Sequence, residues 1–183
     1  MGARTVIKMG NPILGSIAAP VDDFGSGELD TLIADLWDTM KVEGGVGIAA
    51  PQVGVSRRVV VFGLDEHPCG EDVPSISYTV LINPVITALD DEVEDGWEGC
   101  LSVPGMRGVV PRHQHIRYAG VDALGAPFER EVDGYHARVV QHECDHLDGV
   151  LYPQRMHDLK QFGYTDEFER VALASVAARS EDE

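Results

Sequence analysis

Tyr135-His136-Ala137-Arg138-Val139-Val140-Gln141-His142-Glu143-Cys144-Asp145-His146-Leu147 is the stretch on which the fold turns. It holds neither Pro nor Gly, and Gly149 supplies a stop signal just beyond it, so it predicts a helix. Residues four apart share a helix face, so His142 and His146 can aim both imidazoles at one metal ion with Glu143 beside them. Cys144 falls about 200° around the helix from His142 and reads as buried packing.

Upstream of this helix the pattern changes. Residues 115–121 and 128–132 alternate as half-buried strands, joined by a turn region at 123–127. Val80-Leu81-Ile82 and Val59-Val60-Val61-Phe62 are β-branched-rich runs closed by Asn83-Pro84 and by Gly63, and they read as further strands. Between residues 26 and 42, Leu29, Leu32, Ile33, Leu36, Trp37 and Met40 recur at spacings of three and four, an amphipathic helix ended by Gly44-Gly45. Strands clustered between an early and a late helix predict an α+β fold, antiparallel β-sheets packed around a central metal-binding helix with an amphipathic helix near the N-terminus.

Composition bounds the rest. With 183 residues, 44% of them apolar, and no repeat or low-complexity linker, one domain over 1–183 is expected. The start has no basic segment followed by an apolar core, and nowhere is there an apolar run of membrane-spanning length, so a cytoplasmic protein is the expectation. Three cysteines argue for reduced thiols or metal ligation rather than a disulfide framework. A net charge of −17 disfavours direct binding to nucleic acid or anionic lipid, because phosphate contacts depend on Lys and Arg. Residues 65–77, rich in Gly, Pro and acid, read as an exposed loop. His67, His113, His115, His136 and His157 lack ligand spacing and read as surface or core, Trp37 as core, and Trp97 as core or a pocket wall.

One cysteine stands in a ligand-like setting, Cys100 in Glu98-Gly99-Cys100-Leu101-Ser102. Added to His142 and His146 it completes a Cys-His-His set, and three protein ligands leave a position for water. Such a site points to metal-assisted hydrolysis. Asp145 is the nearest candidate to orient a ligand imidazole, with a pairing to Arg112 as its alternative.

Three segments occur in order: Gly45-Val46-Gly47-Ile48-Ala49-Ala50-Pro51-Gln52, then the Cys100 motif, then Gln141-His142-Glu143-Cys144-Asp145-His146. Together they resemble the polypeptide deformylase family, over a span from about Asn11 to about Met156. The resemblance implies removal of the N-formyl group from the N-terminal formyl-methionine of nascent polypeptides, with release of formate. It implies Glu143 as general base and acid, and Gln52 with the Leu101 N–H as oxyanion donors. It implies a substrate strand along Gly47, a pocket for an unbranched apolar side chain at Val46, Tyr135 and Val139, and a backbone contact from Arg107. It also implies Fe²⁺ as the cation, with Zn²⁺, Ni²⁺ or Co²⁺ able to replace it in purified protein.

Two other readings use the same residues: a zinc-dependent peptidase, and a catalytically silent metal-stabilised domain. The first normally takes its third ligand downstream of the helix, whereas Cys100 is upstream; the second is expected to lose Glu143 or Gln52, and both are present. Some family members dock on the ribosome through a basic C-terminal helix. Here Asp166, Glu167, Glu169, Glu181, Asp182 and Glu183 face only Arg170 and Arg179, so any transient ribosome contact uses another route. A last helix with Phe168, Val171 and Ala172 on one face and a fraying end is expected there. Removing everything after Tyr164 should leave formate release from short formyl peptides largely intact, and loss of activity in a folded truncated protein would contradict this.

Overall fold

The structure, a computed structural model, describes residues 2–65 and 74–180. Helix α1 (Gly27–Glu43) starts where the Ser26 hydroxyl accepts from the Leu29 N–H and stops where Gly44 turns left-handed at φ 68°. Strands β1 (Gly47–Ala49), β2 (Val59–Leu64) and β3 (Ile76–Ala88) follow, then β4 (Val93–Cys100), β5 (Val103–His113), β6 (His115–Val121) and β7 (Pro127–Asp133). Helix α2 (Gly134–Leu147), short strand β8 (Phe162–Tyr164) and helix α3 (Thr165–Ser180) complete the order. All sheet pairings are antiparallel, in one sheet of order β1-β2-β3-β6-β7 and a second of order β4-β5-β8. The expected α+β class is what the chain adopts.

The period-two alternation of β2 divides the core. Val59 and Val61 face α1 and pack with Leu32, Leu36 and Met40, while Val60 and Phe62 face α2 and pack with Ala137, Val140, Cys144 and Leu147. A slip of one residue would exchange the two faces, so burial on both sides fixes the register. Each such Val or Phe contributes about 1.5–3 kcal/mol by leaving water. Helix α2 lies between the two sheets: one stripe meets the five-stranded sheet, and the opposite flank, carrying Arg138, His142 and Asp145, turns toward β4 and β5.

Several expectations need correction. Strand β3 does not end at Asn83-Pro84; it runs on to Ala88 with a register shift between Ile82 and Val85. Asn83 takes φ 52° there, and its side chain both donates to the Val21 carbonyl and accepts from the Val21 N–H, which supports the bulge that Pro84 requires. Likewise β2 runs through Gly63 to Leu64. Of the 65–77 loop, residues 66–73 lie outside the described residues, as does His67, and Ile76 and Ser77 already belong to β3, with Ile76 buried. The helical tail forms as α3, with Phe168 packed edge-on against Trp97 at 4.9 Å, while the expected shared apolar face is not buried: Val171 and Ala172 are exposed. The expected fraying end, residues 181–183, is outside the described residues. His136 is half-buried between Phe62 and Tyr118. Among the described residues no helix is long and apolar enough to cross a membrane.

Candidate metal centre

The β4–β5 hairpin ends at Cys100, which pairs with Val103 after a register shift at Gly99, and this brings the thiol over α2. Cys100 Sγ lies 3.4 Å from His146 Nε2, and donor atoms of Cys100, His142 and His146 all fall within 4.8 Å of one another. Tetrahedral ligation by one thiolate and one imidazole sets their donors about 3.6 Å apart, so the observed spacing fits a shared cation. Asp90, Glu92 and His115 also converge, but at the exposed β3–β4 turn, where His115 is already paired with Asp90 at 2.6 Å.

The surroundings select which imidazole atom is offered. His142 Nδ1 lies 2.8 Å from Glu98 Oε2, leaving Nε2 to face Cys100. Glu98 in turn accepts from Arg112 Nε and Nη2, both at 2.9 Å, and from Arg138 Nη1 at 3.0 Å. Asp145 does not orient His142. It accepts from Arg112 Nη1 at 2.6 Å, the alternative that the sequence left open, and also from Arg155. Glu98 was legible as part of the Cys100 motif, but its role depends on a β4 residue meeting a helix 44 positions later. No local signal marks Arg138 or Arg155.

Burial disfavours charge on both imidazoles. At His146 burial, reinforced by the neighbouring His142 charge, drives the pKa well below its ordinary value; at His142 burial is outweighed by Cys100 and Glu98, and the pKa rises well above it. Glu143 is buried, its Oε2 has no hydrogen-bond partner, and burial pushes its carboxyl up to about 7. Burial, with the Glu143 and Asp145 charges behind it, pushes the Cys144 thiol up, so Cys144 stays a neutral packing group.

A cleft of about 440 Å³ opens over these groups. Val46, Gly47, Gln52, Cys100, Leu101, Tyr135, Val139, His142 and Glu143 all line it, as does Trp97, a pocket wall. Arg107 is not on its wall; its guanidinium lies 4.8 Å over the Trp97 ring, at the rim. The Gln52 Oε1 accepts from the Ala49 N–H at 2.8 Å, which turns its amide nitrogen toward Cys100 Sγ at 3.6 Å. Gly45, Gly47 and Gly99 take no positive φ. Close approach explains Gly47, where a Cβ would sit 2.5 Å from Glu143 Oε1.

Comparison with known proteins agrees with this geometry. The model of the family described as polypeptide deformylase matches residues 3–162. The chain belongs to the polypeptide deformylase family. As a deformylase-family member it is a metal-binding hydrolase. Among curated deformylases, peptide deformylase 1 of Nitrosomonas europaea is 57% identical over 163 residues, 89% of this chain and 93% of that protein. Peptide deformylase 1 of Prochlorococcus marinus is 46% identical over 182 residues, 99% of this chain and 95% of that protein. The deformylase resemblance therefore extends beyond the Asn11 to Met156 span at both ends. Among solved deformylases, the Met-Ala-Ser-bound class I type b enzyme from Acinetobacter baumannii superposes with TM-score 0.81 at 40% identity, covering 84% of this chain and 98% of that one.

Proposed function

We propose that this chain hydrolyses the formamide of N-terminal formyl-methionine on nascent polypeptides and releases formate, in the cytoplasm. One observation carries the reading: in a deformylase-family chain, three metal donors converge, and two of them, Cys100 and His142, line one cleft together with a buried carboxylate that has an unpartnered oxygen. Ferrous iron, the cation that membership of the family implies, is proposed for the native site; a thiolate with two imidazoles suits Fe²⁺ or Zn²⁺ alike, so Zn²⁺, Ni²⁺ or Co²⁺ could replace it in purified protein. When bound, it supplies Lewis acidity to the formyl oxygen and makes water acidic enough to ionise near neutrality.

The remaining steps belong to the chain. Glu143 takes the proton of the attacking water at its free oxygen and passes it to the departing amine nitrogen, which leaves poorly without one. Gln52 Nε2, held by the Ala49 N–H through the other end of its amide, donates to the developing oxyanion together with the Leu101 N–H. Both cleft walls include sheet edges, β1 in one sheet and β4 in the other, so an extended peptide can add as a strand along Gly47 and beside Gly99. Val46, Tyr135 and Val139 then enclose the methionine side chain, and Arg107 at the rim meets the peptide backbone. A ribosome contact, if made, uses a surface other than the acidic α3.

The test is formate release from formyl-Met-Ala-Ser by Fe²⁺-loaded protein under anaerobic conditions, with Cys100→Ala and Glu143→Ala alongside. Release by the parent and its loss in both variants supports the reading. Cleavage of unformylated peptides without formate release would favour a peptidase, and inertness toward both by folded, metal-loaded protein a silent domain.

A further inference from the structure

Beyond the C-terminal end of α2, and outside the cleft lining, one residue connects to the metal centre through an unbroken run of charged contacts. Arg155 follows the short helical turn Tyr152–Gln154, and its side chain is about half exposed. Its guanidinium grips Asp145 at two points, Nη2 to Oδ1 at 2.7 Å and Nε to Oδ2 at 3.1 Å. The same Oδ2 accepts from Arg112 Nη1 at 2.6 Å, and Arg112 directs its remaining donors, Nε and Nη2, at both oxygens of Glu98. Glu98 Oε2 then holds His142 Nδ1 at 2.8 Å. Between Arg155 and His142 every group is buried, so the contacts are strong and none can be replaced readily by water.

We propose that Arg155, which is not part of the cleft lining, is a positioning residue for the metal ligand His142, acting through Asp145, Arg112 and Glu98. The physical argument is the shared Oδ2. Without Arg155, Asp145 keeps one cationic neighbour and turns its carboxylate wholly toward Arg112, drawing that guanidinium away from the planar fork that fixes Glu98. Glu98 also accepts from Arg138, so it stays in place as an anion but loses its orientation, and the His142 ring loses the hydrogen bond that sets which nitrogen it offers. The turn carrying Arg155 touches the ligand a second time, through the Tyr152 ring stacked on His142 at 6.1 Å with 25° between planes. A lysine cannot reproduce the two-point grip.

The proposal rests on Cys100, His142 and His146 holding a cation, and Zn²⁺ affinity measured by competition with a chelator tests both. Arg155→Met should bind Zn²⁺ on the order of 10-fold more weakly than the parent, and Arg155→Lys should fall between them. Arg58→Met serves as the control: Arg58 ties the end of the same helix through the Leu147 carbonyl and Asp148, outside this run of contacts. It should bind like the parent. Parental affinity in folded Arg155→Met, or an equal loss in Arg58→Met, would overturn the proposal while leaving the metal site standing. If Arg155→Met does not fold, Arg155→Lys decides, with parental affinity again counting against it. A parent that takes up no Zn²⁺, or takes it up equally with Cys100→Ser, would overturn both the site and the proposal.

Discussion

Glu143→Gln should lower kcat for formate release by roughly 10²–10⁴-fold, the range expected for loss of a general base and acid. The substitution keeps the side chain's size beside Gly47, so metal content should remain that of the parent. Stability moves the other way. Burial raises the Glu143 carboxyl from 4.5 to about 7, so the folded apoprotein holds this proton more tightly than the unfolded chain does. Relative to acid, the apoprotein therefore loses stability as pH rises from about 4.5 through about 7, by up to roughly 3 kcal/mol from this group. Glutamine carries no titrating proton, so the apo variant should melt at or above the parent temperature at pH 8. Steady-state kinetics and apoprotein melting against pH check the two halves; a variant that is inactive and also less stable at pH 8 would point to disruption instead of lost proton transfer.

Glu98→Ala should produce the largest loss of stability of any single substitution at the site. Glu98 is only 7% exposed and neutralises two buried guanidinium groups, those of Arg112 and Arg138, while fixing His142. Removing it leaves Asp145 as the nearest carboxylate for that charge, a situation that costs about 3–5 kcal/mol and lowers Tm by roughly 10 °C in a chain of this size. Metal affinity should fall by about 10–100-fold, because the imidazole loses its orienting partner. Burial opposes ionisation of Glu98, but the Arg112 and His142 hydrogen bonds outweigh it and hold the carboxyl well below the usual range. With the folded pKa depressed, its stabilising contribution is present above the unfolded pKa and is lost only as pH falls into strong acid. Parent and variant should therefore converge in stability at very low pH, and thermal melts between neutral and strongly acidic pH read this directly.

The two predictions differ in how visible their residues are in the sequence. Glu143 is announced by its place between histidines four apart, a spacing that one helix turns into one face. Glu98 stands near the candidate Cys100, yet Asp145, adjacent to His146, is the candidate nearest in sequence for the partner of an imidazole. The structure gives His142 to Glu98 because α2 turns the flank carrying His142 toward β4, while Asp145 is taken by Arg112 and Arg155. Cleft residues Val46, Tyr135 and Val139 were indicated by family resemblance alone, and all three do line the cleft. Arg107 reaches only its rim.

Local rules suffice where an element's cause lies within a few residues. The glycine stop of α1, the helical run of α2, the alternation of β6 and the spacing of His142 and His146 all follow from neighbours in the chain, and each is legible in the sequence. Continuation of β3 through Asn83-Pro84 could not, because the bulge is held by Val21, 62 residues away. The same holds for the long β4–β5 hairpin, which was not separately predicted and which carries Cys100 to α2. Sequence by itself determined which residues could ligate a cation and that α2 would present two of them together. Tertiary structure decided which carboxylate orients His142 and which arginines hold that carboxylate, since those choices depend on pairing between strands and helices far apart in the chain, where burial leaves each charge few partners.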